Sequence, residues 1–165
     1  MICTNMKLCK HKDMIKFSQF NTCFLDLSYK WLQDKELCTL INCNPPTKQS
    51  QREWYDSLEY KTDYKIFGVT YNDLPIGVWG LKHITSNDAE YFGYIGDKQY
   101  WGKGIGKELV TFIENKAKSL GIKNVYLNVI ASNVRAYKLY TKMNYKVIES
   151  QQNEGVQLII MSKLI

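Results

Sequence analysis

The sequence predicts an α/β fold with a central mixed, mostly antiparallel sheet flanked by helices, and three observations carry that expectation. Residues 64–71 and 75–84 have strand composition and flank the turn-forming Asn72-Asp73-Leu74, and a third strand-like run covers 90–96. Such consecutive runs joined by short polar turns form antiparallel hairpins. The second half of the chain then alternates strand, helix, strand, helix, an order that lays helices against a sheet. Between the two halves lies a glycine-rich turn, Gln99-Tyr100-Trp101-Gly102-Lys103-Gly104-Ile105-Gly106-Lys107, where a strand gives way to a helix. With 165 residues at 45% apolar composition, the chain is long enough for one well-cored domain, and two domains would each be poor in core. No repeat, linker or low-complexity stretch divides residues 1–165.

Taken in order, the chain predicts a first strand near 14–17. From 22 to 40, Phe24, Leu27, Trp31, Leu32, Leu37 and Leu40 recur at helical spacing, which suits two short helices around 31–36. Pro45-Pro46 marks a loop, and Thr47 is placed to cap a helix over 48–61 with Trp54, Tyr55 and Leu58 on one face. After the hairpin and the turn at 85–88 comes the strand at 90–96. Leu109, Phe112, Ile113 and Ala117 then define a helix over 107–117, and Gly121 suits its C-terminal cap. Residues 124–130 read as a strand, Asn133 as the cap of a helix reaching Met143, and 145–149 with 156–162 as a final strand pair around a turn at 151–155.

The glycine turn carries the chemistry. Glycines at 102, 104 and 106 let the backbone approach a ligand and adopt dihedrals closed to other residues. The following helix presents unpaired amides at its positive end, a site for phosphate or pyrophosphate, and Lys103 and Lys107 add charge. A glycine-rich turn with no ligand is the plainer alternative. The spacing G-x-G-x-G is not the G-x-G-x-x-G of a dinucleotide fold, and no Walker-type G-x-x-x-x-G-K-[ST] occurs.

Gln99-x-x-Gly102-x-Gly104 resembles the pyrophosphate loop of the GNAT superfamily of acyl-CoA-dependent N-acetyltransferases. Residues 133–145, Asn-Val-Arg-Ala-Tyr-Lys-Leu-Tyr-Thr-Lys-Met-Asn-Tyr, resemble its second signature, N-x-x-A-x-x-L-Y-x-K followed by a small residue and an aromatic. Asn144 stands where the family usually has glycine, and asparagine tolerates a left-handed turn. Pro75-Ile76-Gly77 is similar to the opening of the family's third strand, and Trp31-x-x-Asp34-x-Glu36 resembles a stretch in the branch acting on protein N-termini, polyamines and amino sugars. The resemblance spans about residues 24–163.

It implies two central parallel strands, 90–96 and 125–130, splayed at their C-terminal ends, with acetyl-CoA as cofactor. The pantetheine arm would pair with backbone of Tyr94, Ile95 and Gly96. The pyrophosphate would sit on Gln99, Trp101, Gly102, Lys103, Gly104, Ile105, Gly106 and Lys107, with Asn133 touching the pantetheine as well as capping its helix. Tyr140 occupies the family's tyrosine position and would protonate the departing thiol or orient the thioester. Glu90 is the favoured base, ahead of Asp34, Glu36 and Asp97, although an amine held against a thioester gains much of its rate from proximity alone. The early helices would wall the acceptor pocket, so Trp31, Trp54 and Tyr55 would stack on a sugar or base or pack in the core. The expected acceptor is a small-molecule primary amine, with an amino-sugar nucleotide preferred over a polyamine or a protein N-terminus. A noncatalytic acyl-CoA-binding regulator stays open.

Composition narrows the rest. The net charge of +6 comes from lysines scattered through amphipathic segments, without a nucleic-acid signature, and suits a polyanionic cofactor or sugar nucleotide equally well. Five cysteines without C-x-x-C spacing and only two histidines give no zinc pattern and no ordered nucleophilic triad. Cys3 and Cys9 would be the ones open to oxidation. No apolar span of about 18 residues predicts a membrane helix, so a cytoplasmic protein is expected, as a monomer or homodimer.

Overall fold

The computed structural model describes residues 14–165; the expectations for Cys3 and Cys9 lie outside that range. The first strand, β1 (Ile15–Gln19), leads to Asn21, whose side chain accepts from the amides of Cys23 and Phe24 and starts α1 (Thr22–Trp31). The helical spacing at 22–40 resolves into this helix and α2 (Lys35–Ile41), and the break between them is fixed by Asp34, which accepts from the Leu37 amide 2.9 Å away. Thr47 caps α3 (Lys48–Ser57) in a reciprocal box with Ser50, and a single 3₁₀ turn completes the stretch to Tyr60.

The hairpin follows as β2 (Lys65–Tyr71) and β3 (Leu74–Lys82). Its turn, Asn72-Asp73, places both residues at positive φ, 48° and 65°, the twist that a two-residue hairpin requires. β4 (Asp88–Ile95) begins two residues earlier than expected. After the glycine turn come α4 (Gly106–Ser119), β5 (Asn124–Ile130), α5 (Val134–Lys142), β6 (Lys146–Asn153) and β7 (Val156–Leu164). Asn144 has φ 68°, the left-handed conformation for which asparagine substitutes. The final turn is tighter than the sequence suggested: Glu154 and Gly155, both at positive φ, close the hairpin alone, so β6 runs on to Asn153.

The seven strands form one sheet in the order β1-β2-β3-β4-β5-β7-β6. Every neighbouring pair is antiparallel except β4 and β5, which are parallel and in register only at Asp88↔Asn124, Ala89↔Val125 and Glu90↔Tyr126. Beyond Glu90 the two strands part. Successive side chains of β4 point to opposite faces. Ala89 and Tyr91 join the core under α4, with Leu109, Val110, Ile113 and Val125, while Tyr94 packs against the second cluster of Phe20, Phe24, Leu25 and Val78 beneath α1 and α3.

Candidate active site

The parting of β4 and β5 leaves two cavities, one on each side of the gap. The larger, about 820 Å³, is lined by Tyr94, Ile95, Trp101, Gly102, Lys103, Gly104, Ile105, Gly106, Lys107, Asn133 and Tyr140 together with α2 and α5. The smaller, about 530 Å³, runs under α1 and α3 past Trp54, Glu90, Asn128 and Tyr140. Leu40, Gly93, Tyr94, Asn133 and Tyr140 line both, so the cavities meet across the gap in the sheet.

On the larger side the glycines have different reasons to be glycine. Gly102 and Gly104 sit at φ 73° and 77° with open space around a would-be Cβ, so the backbone conformation demands them. Gly106 has ordinary dihedrals, but a Cβ there would come within 2.6 Å of Leu139; it lets α4 start close against α5. Ile105 makes no side-chain cap bond at the start of α4, which leaves the first-turn amides facing the cavity as an anion site. Trp101 donates its indole N–H to the Ile95 carbonyl at 2.7 Å and carries the Lys98 and Arg135 cations 5.4 and 5.7 Å from its ring centre. Arg135, in the first turn of the helix capped by Asn133, also lines this cavity.

Two predicted cofactor residues stand outside this lining. Gln99 lies in a 3₁₀ turn whose amide is taken by Asp97, and Gly96 donates its amide to the Ile76 carbonyl at 2.7 Å. A Cβ on Gly96 would overlap the Trp31 indole, so this glycine and that tryptophan account for one another as packing. Asn133 caps α5 through Oδ1, 3.2 Å from the Ala136 amide, and spends its amide hydrogen on the Leu40 carbonyl at 3.1 Å. Trp79, absent from the sequence reading, contributes a buried indole N–H to the larger cavity without an acceptor in bonding geometry, beside the Tyr91 phenol.

At the seam, Tyr140 is 9% exposed and donates to the Tyr91 hydroxyl at 3.4 Å, with the two rings edge to face. Burial pushes the Tyr140 phenol above its ordinary 10.0, with the Tyr91 hydrogen bond opposing, so its proton is retained at neutral pH and can be given away. On the smaller side Glu90 is buried, its side chain 9% exposed. Its Oε1 accepts from Asn128 Nδ2 at 2.9 Å and lies 3.2 Å from Lys82 Nζ, while Oε2 meets His83 Nδ1 at 2.8 Å. Asn128 was legible only as a polar residue inside an apolar strand run. Asp34 and Glu36 hold Lys98 at 2.8 and 2.7 Å instead of entering the smaller cavity, and Lys98 keeps the Asp34 carboxyl below its ordinary 3.8.

Of the three expected acceptor aromatics, Trp54 lines the smaller cavity. Trp31 packs edge-on to Tyr94, and Tyr55 packs beside Phe20 in the second core cluster. Cys43 also lines this cavity, but burial pushes its thiol up to about 12 with Cys38 adding to the shift, which removes it as a nucleophile at neutral pH. Among the described residues no cluster of His, Cys, Asp and Glu could hold a metal ion.

A sheet opened between two parallel strands, with a helix start that lacks a side-chain cap and a left-handed glycine turn at one mouth, defines an α/β domain whose opening offers backbone amides to an anion. The family of such domains follows from comparison with known proteins: the chain belongs to the Acetyltransferase (GNAT) family, whose model matches residues 20–145. Uncharacterized protein MJ1062 of Methanocaldococcus jannaschii is 24% identical over 118 residues, 70% of this chain and 24% of that protein. The D-amino-acid N-acetyltransferase HPA3 of Saccharomyces cerevisiae is 37% identical over 70 residues, 40% of this chain and 44% of the relative. The chain thus spans less than half the length of these curated relatives. The fold is shared with the crystal structure of spermidine N-acetyltransferase from Vibrio cholerae in complex with CoA and spermine, at a TM-score of 0.84 and 17% identity over 91% of this chain and 95% of that one.

Proposed function

We propose that this chain transfers the acetyl group of acetyl-CoA to a primary amine of a small molecule by direct attack within a ternary complex. The observation that carries this reading is the meeting of the two cavities at Tyr140, which allows a thioester from one side to face an amine from the other. The residues fit the cofactor: the α4 amides and the turn at Gly102 and Gly104 suit its pyrophosphate, and the edge of β4 beyond Glu90, unpaired by β5, offers backbone to the amides of its pantetheine arm. Acetyl-CoA supplies the activated carbonyl. Backbone N–H near Tyr94 or Ile95 polarises that carbonyl, Glu90 takes the proton released by the amine, and Tyr140 gives its proton to the departing sulfur.

The acceptor best suited to the smaller cavity is an amino sugar, presented as a nucleotide. Among the described lining residues, the charged side chains are Lys82 and Glu90, and they face each other. The second ammonium of a polyamine would find no carboxylate of its own there, whereas a sugar meets the amide and hydroxyl groups of Asn42, Asn44 and Ser50 and the rings of Trp54 and Tyr64. The surplus of +6 attracts a diphosphate at long range. Thiol release from acetyl-CoA should be measured with an amino-sugar nucleotide, its dephosphorylated sugar, spermidine and a short peptide at matched cofactor saturation. The nucleotide is expected to give the highest kcat/KM. Preference for spermidine or peptide overturns the acceptor assignment, and inactivity toward all four with intact acetyl-CoA binding points to the noncatalytic regulator.

A further inference from the structure

We infer that His83 is the relay through which Glu90 passes the amine's proton out to solvent, making His83 and Glu90 one working pair. The inference rests on the acetyl-transfer reading above, in which Glu90 receives that proton. Glu90 lines the acceptor cavity and is otherwise nearly sealed, at 9% side-chain exposure; the His83 side chain is 62% exposed. The pair therefore reaches from the cavity to bulk water through one contact, His83 Nδ1 to Glu90 Oε2 at 2.8 Å.

The other partners of the carboxylate cannot do this. Asn128 offers an amide N–H and Lys82 an ammonium, neither of which has a lone pair to accept a proton, whereas a neutral imidazole has one. Both of those partners sit on Oε1, which leaves Oε2, carrying only the imidazole, with an acceptor position free for the amine or a bridging water. When an acceptor fills the cavity, the direct route from Glu90 to water on that side is closed. His83 holds its place at a backbone φ of 51° immediately after β3, a conformation unfavourable for a non-glycine residue.

The steps balance. The attacking amine loses one proton to Glu90 Oε2 as the new C–N bond forms. The Glu90 carboxylic acid passes it to the unprotonated Nδ1 of His83 in its neutral Nε2–H tautomer, and the imidazolium releases its Nε2 proton to water or buffer, leaving Nδ1–H donating to the restored carboxylate. Tautomer exchange of the exposed ring with solvent then frees Nδ1 for the next turnover, so that both side chains return to their starting state. The thiol proton comes separately from Tyr140. The charged and titratable groups around the pair are Lys82 on β3, Asp88 on β4, which is held by Asn124 at 2.8 Å, Tyr126 on β5, and Asp63 and Tyr64 ahead of β2. Burial, with the Glu90 charge adding, pushes the Tyr64 phenol up to about 12 and Tyr126 upward as well, so both phenols stay neutral and leave the traffic to His83.

The test uses His83→Gln, which keeps a donor for Oε2 but carries no proton, and His83→Ala, which opens space for free imidazole. Both variants, checked for an unchanged fold by circular dichroism and melting, are expected to lose about 10-fold or more in kcat with little change in either KM. The Ala variant should recover as imidazole is added at constant ionic strength and pH, while the wild-type rate stays independent of imidazole. A readout apart from activity is the ¹⁵N resonance pattern of the His83 ring, which Glu90→Gln should shift. His83→Gln at wild-type kcat, or a loss in His83→Ala that imidazole does not restore, overturns the relay alone. Absence of turnover by the wild type with every amine overturns the relay and the acetyl-transfer reading together.

Discussion

Tyr140 reaches the seam between the cavities because Asn133 caps its helix and Asn144 turns the chain sharply behind it. Replacing it by Phe removes one oxygen and keeps the edge-to-face contact with Tyr91, so Tyr140→Phe should lower kcat by about 10- to 10⁴-fold with a much smaller change in acetyl-CoA affinity. Because burial raises this phenol above 10.0, the wild-type kcat should show no downturn from loss of its proton between pH 7 and about 9; rates measured across that range with both enzymes check the two statements. Asn133 and the glycines at 102 and 104 were legible in the sequence because a cap and a left-handed turn are written within a few neighbouring residues, whereas Tyr140 was singled out by its place in the family signature. The surroundings of Glu90 were not legible. Asn128 comes from a strand 38 residues away, and only the register of β4 on β5 brings it there. Trp31, Trp54 and Tyr55 looked alike as aromatics on short helices, and their separation into cavity wall and core depends on how α1 and α3 pack over the sheet.

The element to which the proposal assigns the cofactor's pyrophosphate is the turn into α4. At Gly104 a Cβ would meet nothing within 4 Å, so a larger side chain acts through the backbone: φ 77° is disfavoured for residues with a Cβ, most of all for β-branched ones. Gly104→Val should therefore reshape the turn and weaken acetyl-CoA binding while the protein still folds, since the added Cβ itself would meet no core atom. Calorimetry showing wild-type affinity in the folded variant would remove the pyrophosphate from this turn. Spacing alone makes the glycines at 102, 104 and 106 look equivalent, and they are not, for the closeness of α4 to α5 at Gly106 is a tertiary fact. Helix starts were legible where the sequence marks a capping side chain plainly, at Thr47 and Asn133, whereas the caps at Asn21 and Asp34, inside one long run of helical spacing, were not. Strand limits were misjudged at β4 and β6, where no such residue stands.

Across the whole molecule the sheet is nearly two sheets, joined between β4 and β5 by three register pairs. The helix α4 bridges this weak line from one face, and Glu114 on it, 7% exposed, takes Lys163 of β7 at 2.8 and 2.9 Å. Lys163→Met would leave that carboxylate buried and unpaired, a loss of about 3 kcal/mol in unfolding free energy, whereas Glu114→Leu with Lys163→Met should recover most of it. Denaturant unfolding of the single and double variants decides between them. The wide opening that this architecture permits also distributes the four tryptophans of the chain unevenly about it. Trp79 and Trp101 line the larger cavity, Trp54 the smaller, and Trp31 neither. Intrinsic fluorescence is therefore unevenly shared, with two indoles at one mouth, one at the other and the fourth at neither, so replacing Trp54 by Phe would leave an unlabelled protein whose cavity-facing emission comes from the larger mouth alone.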